Sequence, residues 1–133
     1  MDGPVEVKAL NHTLRTSLAH LLMSRDGPAL RPGTRSYART WIRDGAMMAS
    51  ALVRVGEAAV AREFVDWFAG HLFASGKVPC CVDARGPDPV AENDSHGQYL
   101  FAVAEVWRAT GDSAWAARHW PAVQRCPEGQ PIV

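Results

Sequence analysis

Between Val5 and Met23 the apolar residues Val7, Leu10, Leu14, Leu18, Leu21 and Leu22 recur at spacings of three and four, while Lys8, Asn11, Arg15 and Thr16 fall elsewhere on the wheel. This spacing predicts an amphipathic first helix. From about Gly45 to Val55 nearly every residue is small or apolar, and a helix without a polar side must be enclosed by others. Gly56 ends it as a C-cap glycine. A third, amphipathic helix follows at once, with Val60, Phe64, Trp67, Phe68 and Leu72 against Arg62, Glu63 and Asp66. Ser95 and Gln98 form a capping-box pattern ahead of Tyr99 to Trp107, a second helix that is apolar almost all round. Gly111 and Asp112 then supply a left-handed stop and a new cap for a fifth helix carrying Trp115, His119, Trp120 and Val123, with Pro121 bending or ending its regular part.

Two alternations run together along this pattern. Helices one, three and five are amphipathic, whereas two and four are apolar, which describes an outer layer wrapped on an inner one. The connections are long after helices one and three (Arg25 to Ser36 and beyond, and Ala74 to Asp94) and minimal after two and four. In consecutive antiparallel hairpins alternate connections emerge at the same end, so both long loops are expected on one face, which is the candidate site. The expected fold class is all-α, built of antiparallel helical hairpins, with about five helices over residues 1–125. Residues 126–133 hold prolines and a glycine without periodicity and read as an irregular, truncated tail.

Composition changes this picture little. With 133 residues, 47% hydrophobic and 21% charged, the chain is long enough for a core and falls in the globular range. Fourteen basic residues cancel fourteen acidic ones, leaving no global field to attract nucleic acid or an anionic membrane, so function must be local. No window approaches a membrane span and the first residues lack the basic and apolar regions of a signal peptide. Three cysteines, two of them adjacent, argue against a disulfide framework, and reduced thiols fit a cytoplasmic setting.

Chemistry concentrates at two helix starts. Trp41, Arg43 and Asp44 precede the first apolar helix, where Asp44 is placed to cap it. A guanidinium beside a carboxylate and an aromatic face would suit a polyhydroxylated ligand. The bland alternative is an ion pair, a cap and a packed tryptophan. Asp94, Ser95, His96, Gly97 and Gln98 stand in the equivalent place before the second apolar helix, and Asp94 and His96 invite acid/base thinking, with capping and dipole stabilisation as the alternative. Cys80, Cys81, Asp83 and His96 match no zinc spacing, so no metal and no cofactor is expected. Arg31, Arg35, Arg39 and Arg43 recur every fourth residue, but Pro32 and Gly33 oppose a helix there.

Trp41-Ile-Arg-Asp44 opening an apolar helix, Asn93-Asp-Ser-His-Gly-Gln98 one hairpin later, and the Trp107-Arg-Ala-Thr-Gly-Asp112 turn together resemble the six-hairpin glycosidase superfamily of the glucoamylase and trehalase type. The resemblance runs from about Arg25 to Val123. It implies a portion of an (α/α)6 toroid performing inverting glycoside hydrolysis. It further implies that Arg43 and Asp44 bind sugar hydroxyls, that Trp41 lines the subsite, and that Asp94 and His96 line the same pocket. The partner would be an oligosaccharide or glycoside. The general acid and base of that family come from loops beyond this chain, so the chain by itself is expected to bind rather than cut. A ring of helices cannot close with five, and the sides of helices two and four should be exposed and self-associate. The rival expectation is a non-catalytic helical-hairpin interaction module.

Overall fold

The computed structural model describes residues 5–129. It is all-α apart from one small sheet: α1 (Val5–Met23), a 3-10 turn (Arg35–Tyr37), β1 (Thr40–Trp41), α2 (Ile42–Arg54), α3 (Ala58–Ala69), β2 (Cys81–Asp83), β3 (Gly86–Pro87), α4 (Ser95–Thr110) and α5 (Ser113–Gly129).

The core lies between α2, α3 and α4, where Ile42, Ala46, Ala49, Leu52, Phe64, Phe68, Tyr99 and Val106 are buried. Burial of each large apolar side chain here is worth about 1.5–3 kcal/mol. Gly45 lets α2 and α3 approach closely, since a Cβ at this position would lie 2.3 Å from Cζ of Phe64. The two apolar helices, α2 and α4, run side by side. Arg43 of α2 meets Asp94 at the start of α4, and Arg54 of α2 meets Glu105 further along α4. Both pairs are 51 residues apart in sequence, which requires the helices to be parallel and in register.

Turn chemistry follows the sequence closely. Gly56 takes φ 88°, and the Glu57 N–H donates to the Leu52 carbonyl, as in a Schellman stop. Gly111 takes φ 63°, and Asp112 caps α5 by accepting the Trp115 N–H at 2.9 Å.

Several expectations need correction. None of the α1 residues is fully buried. Leu18, Leu21 and Leu22 pack against the core, but Leu10 and Leu14 remain exposed because the described chain places no partner over the helix's first turns. The enclosure expected for α2 and α4 is one-sided, with Met47 66% and Trp107 48% exposed. This agrees with an open flank on the inner helices. The segment after Arg125 is helical to Gly129, with Pro121 and Pro127 inside α5. Each proline removes an intrahelical bond, but Cys126 is buried in the core cluster, and Gly76 fits so tightly on the Arg125 backbone that a Cβ would lie 2.1 Å from its carbonyl oxygen. Residues 130–133 of the expected tail lie outside the described residues.

The sheet was not foreseen. Thr40 pairs with Val82 and Trp41 with Cys81 in antiparallel register, and Val82 and Asp83 pair with Pro87 and Gly86. These strands stitch the end of the first long loop, at the entrance to α2, to the middle of the second. No helix among the described residues is long and apolar enough to cross a membrane.

Candidate functional site

Trp41 ends β1, and the chain turns from strand directly into α2. The Ile42 N–H donates to the Cys80 carbonyl at 3.0 Å, so the sheet fixes where the helix begins. The helix therefore starts earlier than expected. Trp41, in extended conformation, is the cap residue, and Asp44 lies in the first turn, where its charge favours the helix dipole without capping.

Arg43 projects toward the neighbouring helix start. Its Nε donates to Oδ2 of Asp94 at 2.6 Å and its Nη2 to Oδ1 at 2.9 Å, a bidentate pair, with Glu92 Oε2 at 3.5 Å from Nη2. The hydrogen bond from Arg43 lowers the Asp94 pKa below the usual carboxylate range, and the same bond raises that of Arg43. Asp94 is thus an ionised hydrogen-bond acceptor, and a poor proton donor. The capping box expected of Ser95 and Gln98 does not form, because α4 begins one residue earlier than that pattern requires. Asp94 is the cap residue of α4 in right-handed helical conformation and makes no side-chain capping bond, while Ser95 is already the first helical residue and buried.

His96 faces inward. Its Nε2 accepts the Val78 N–H at 3.3 Å, so that nitrogen carries no proton, and the ring anchors the second loop to α4. Trp41 lies half-buried, with the Arg39 guanidinium 5.6 Å from its ring centroid, a cation–π contact.

Beside the ion pair opens a cleft of about 680 Å³ lined by Met47, Asn93, Asp94, His96, Gln98 and Phe101, with the end of α5 contributing Cys126 and Pro127. Of the residues singled out in the sequence, Asp94 and His96 line it, and Arg43 reaches it through Asp94. Trp41 and Asp44 are not among its described lining residues. The approach of Asp44 and Asp94 to one pocket is therefore replaced by the approach of Arg43 to Asp94. Asn93 and Phe101 join the site without having been expected there. Asn93 had a signal, adjacency to Asp94, but Phe101 reads as core within an apolar helix.

The arginines that recur every fourth residue form no basic stripe. Arg31 pairs with Asp26, Arg39 with Asp83 and Asp88, and Arg43 with Glu92 and Asp94. A second polar cluster ties α3 to α5. Asp66 Oδ1 accepts from Trp115 Nε1 and from His119 Nε2, each at 2.7 Å, while Arg62 pairs with Asp112. Three free cysteines are buried, and Sγ of Cys80 lies 3.6 Å from Sγ of Cys81, with the Asp88 carboxylate nearby. Comparison with protein-family models, curated proteins and solved structures finds no match for this chain.

Proposed function

We propose that this chain is the carbohydrate-binding portion of a glycoside-hydrolase-like α/α toroid of the inverting, glucoamylase type, lacking the catalytic acids. The observation that carries the proposal is the bidentate Arg43–Asp94 pair joining the starts of two parallel apolar helices beside an open cleft. Support also comes from the hairpin order, with tight turns after α2 and α4 and long loops meeting at one end. In that cleft Asp94 accepts hydrogen bonds from sugar hydroxyls, the Asn93 and Gln98 amides offer both donors and acceptors, and Phe101 gives a ring an apolar face. The held ionisation of Asp94 suits binding rather than proton donation.

The test is a titration of purified protein with disaccharides and aryl glycosides, followed by NMR shifts or calorimetry. Saturable binding that is lost in Arg43→Ala and Asp94→Asn is expected, with no turnover. An absence of saturable binding across the panel, or binding indifferent to both substitutions, would sink the proposal. Hydrolysis abolished by Asp44→Asn would overturn the non-catalytic part.

A second reading, a helical-hairpin interaction module, draws on a different feature. A groove of about 440 Å³ between α4 and α5 is lined by Leu100, Val103, Trp107, Ala116, Trp120 and Val123, and both tryptophans are exposed. Its prediction is that a protein partner docks on this flank.

A further inference from the structure

The start of β2 gathers a set of groups that the sugar-binding proposal does not use. Cys80 and Cys81 are both buried, their sulfurs 3.6 Å apart, and one ligand atom from each, together with a carboxylate oxygen of Asp88, lies within 4.8 Å of the others. Neighbours within a strand point to opposite faces. Here Cys80 sits in the bend before β2, which brings both thiols to the same side. We propose that Cys80, Cys81 and Asp88 form a binding site for one thiophilic divalent cation of the zinc class.

The geometry fits such an ion. Tetrahedral zinc with Zn–S bonds of about 2.3 Å separates its two sulfurs by about 3.8 Å, close to the spacing already present without metal. The surroundings hold the third ligand still. Asp88 Oδ2 accepts from Arg39 Nη2 at 3.1 Å and Oδ1 from the Val90 N–H at 2.9 Å, and each oxygen keeps a further lone pair. Arg39 is fixed in turn by Asp83, which also holds Arg85. Charge balance favours a divalent ion. The carboxylates of Asp83 and Asp88 cancel the guanidiniums of Arg39 and Arg85, so a Cys80–Cys81 dithiolate would leave two negative charges for the cation. On binding, the two thiol protons pass to solvent and two metal–sulfur bonds form. The fourth position is left for water.

Such a clip would join β2 to the residues after β3, directly behind the strand pair that sets the start of α2. It is independent of sugar binding, so either proposal can fail alone.

The experiment is titration of the metal-free full chain with Cd²⁺ or Co²⁺ alone, in a non-chelating reductant. One equivalent should bind, with a thiolate-to-metal charge-transfer band that a chelator reverses and Zn²⁺ displaces, and the thermal midpoint should rise. Cys80→Ser and Cys81→Ser should each remove the two-thiolate band, Asp88→Asn should weaken binding by roughly tenfold or more, and Cys126→Ser should leave it unchanged. A wild-type chain without the band overturns the proposal. So does a band that survives the double cysteine substitution or that is lost with Cys126. If the Cys80 and Cys81 variants fail to fold, the wild-type titration together with Cys126→Ser and Asp88→Asn decides the matter.

Discussion

The Arg43 guanidinium grips both carboxylate oxygens of Asp94, at 2.6 and 2.9 Å, across 51 residues of sequence, and so locks the first turn of α2 to the cap of α4. Both partners are more than a third exposed, so water weakens the pair and its loss should destabilise the fold only slightly. Arg43→Lys loses the two-pronged fit and should behave nearly like Arg43→Ala in chemical denaturation. Because Arg43 holds the Asp94 pKa below about 3.9, the pair's stabilisation is complete above that pH and drains away as pH falls through the lowered folded value. Asp94→Asn should therefore lower stability slightly near neutrality and converge with the wild type in acid, which flattens the acid limb of the stability curve. An unaltered acid limb would show that the pair is energetically silent.

Gly45 and Gly97 make a matched test of packing. Both lie in the first turn of an inner helix, yet a Cβ at Gly45 would strike the buried Phe64 ring, whereas one at Gly97 meets nothing within 4 Å. Phe64 is hemmed in by the rings of Trp67 and Phe68, at 6.5 and 5.8 Å, and has little room to turn. Gly45→Ala should cost about 1–3 kcal/mol despite alanine's better helix propensity, while Gly97→Ala should be neutral or stabilising by up to about 1 kcal/mol. Thermal melts of the two variants, side by side, check this.

Asp66 satisfies two donors at once, the buried Trp115 indole N–H and His119 Nε2. Asp66→Ala leaves both without their acceptor and should cost about 1–3 kcal/mol. The Asp66 side chain is about half exposed, so water can reach the vacated position and the lower end of that range is expected. Tryptophan fluorescence during denaturation reports the change.

Trp107 and Trp120, 48% and 57% exposed, flank the apolar groove between α4 and α5. Sedimentation velocity should show self-association that grows with concentration and is suppressed in the Trp107→Glu, Trp120→Glu double variant. A wild-type monomer at every concentration would refute this.

What the sequence determined by itself is local. The three-and-four spacing of leucines set the extent of α1, and the apolar run after Asp44 set the body of α2. Gly56, Gly111 and Asp112 set the helix breaks, because a positive φ or a capping oxygen is a property of one residue and its neighbours. The long loops at one end also followed from connection lengths alone.

Tertiary structure decided the rest. Two- and three-residue strands are too short to show a period of two, so the sheet joining Thr40–Trp41 to Cys81–Asp83 left no pattern to read. α5 continues through Pro127 with Cys126 buried in the core cluster, an extension that a helix-breaking sequence does not announce. Arg43 had an adjacent carboxylate in Asp44, yet it pairs with Asp94, since the helix turns Asp44 away while the parallel register of α2 and α4 brings Asp94 within reach. Asp88, rather than Asp83 or His96, joins the two thiols for the same reason: which side chains meet depends on how distant segments pack, and spacing along the chain does not encode that distance.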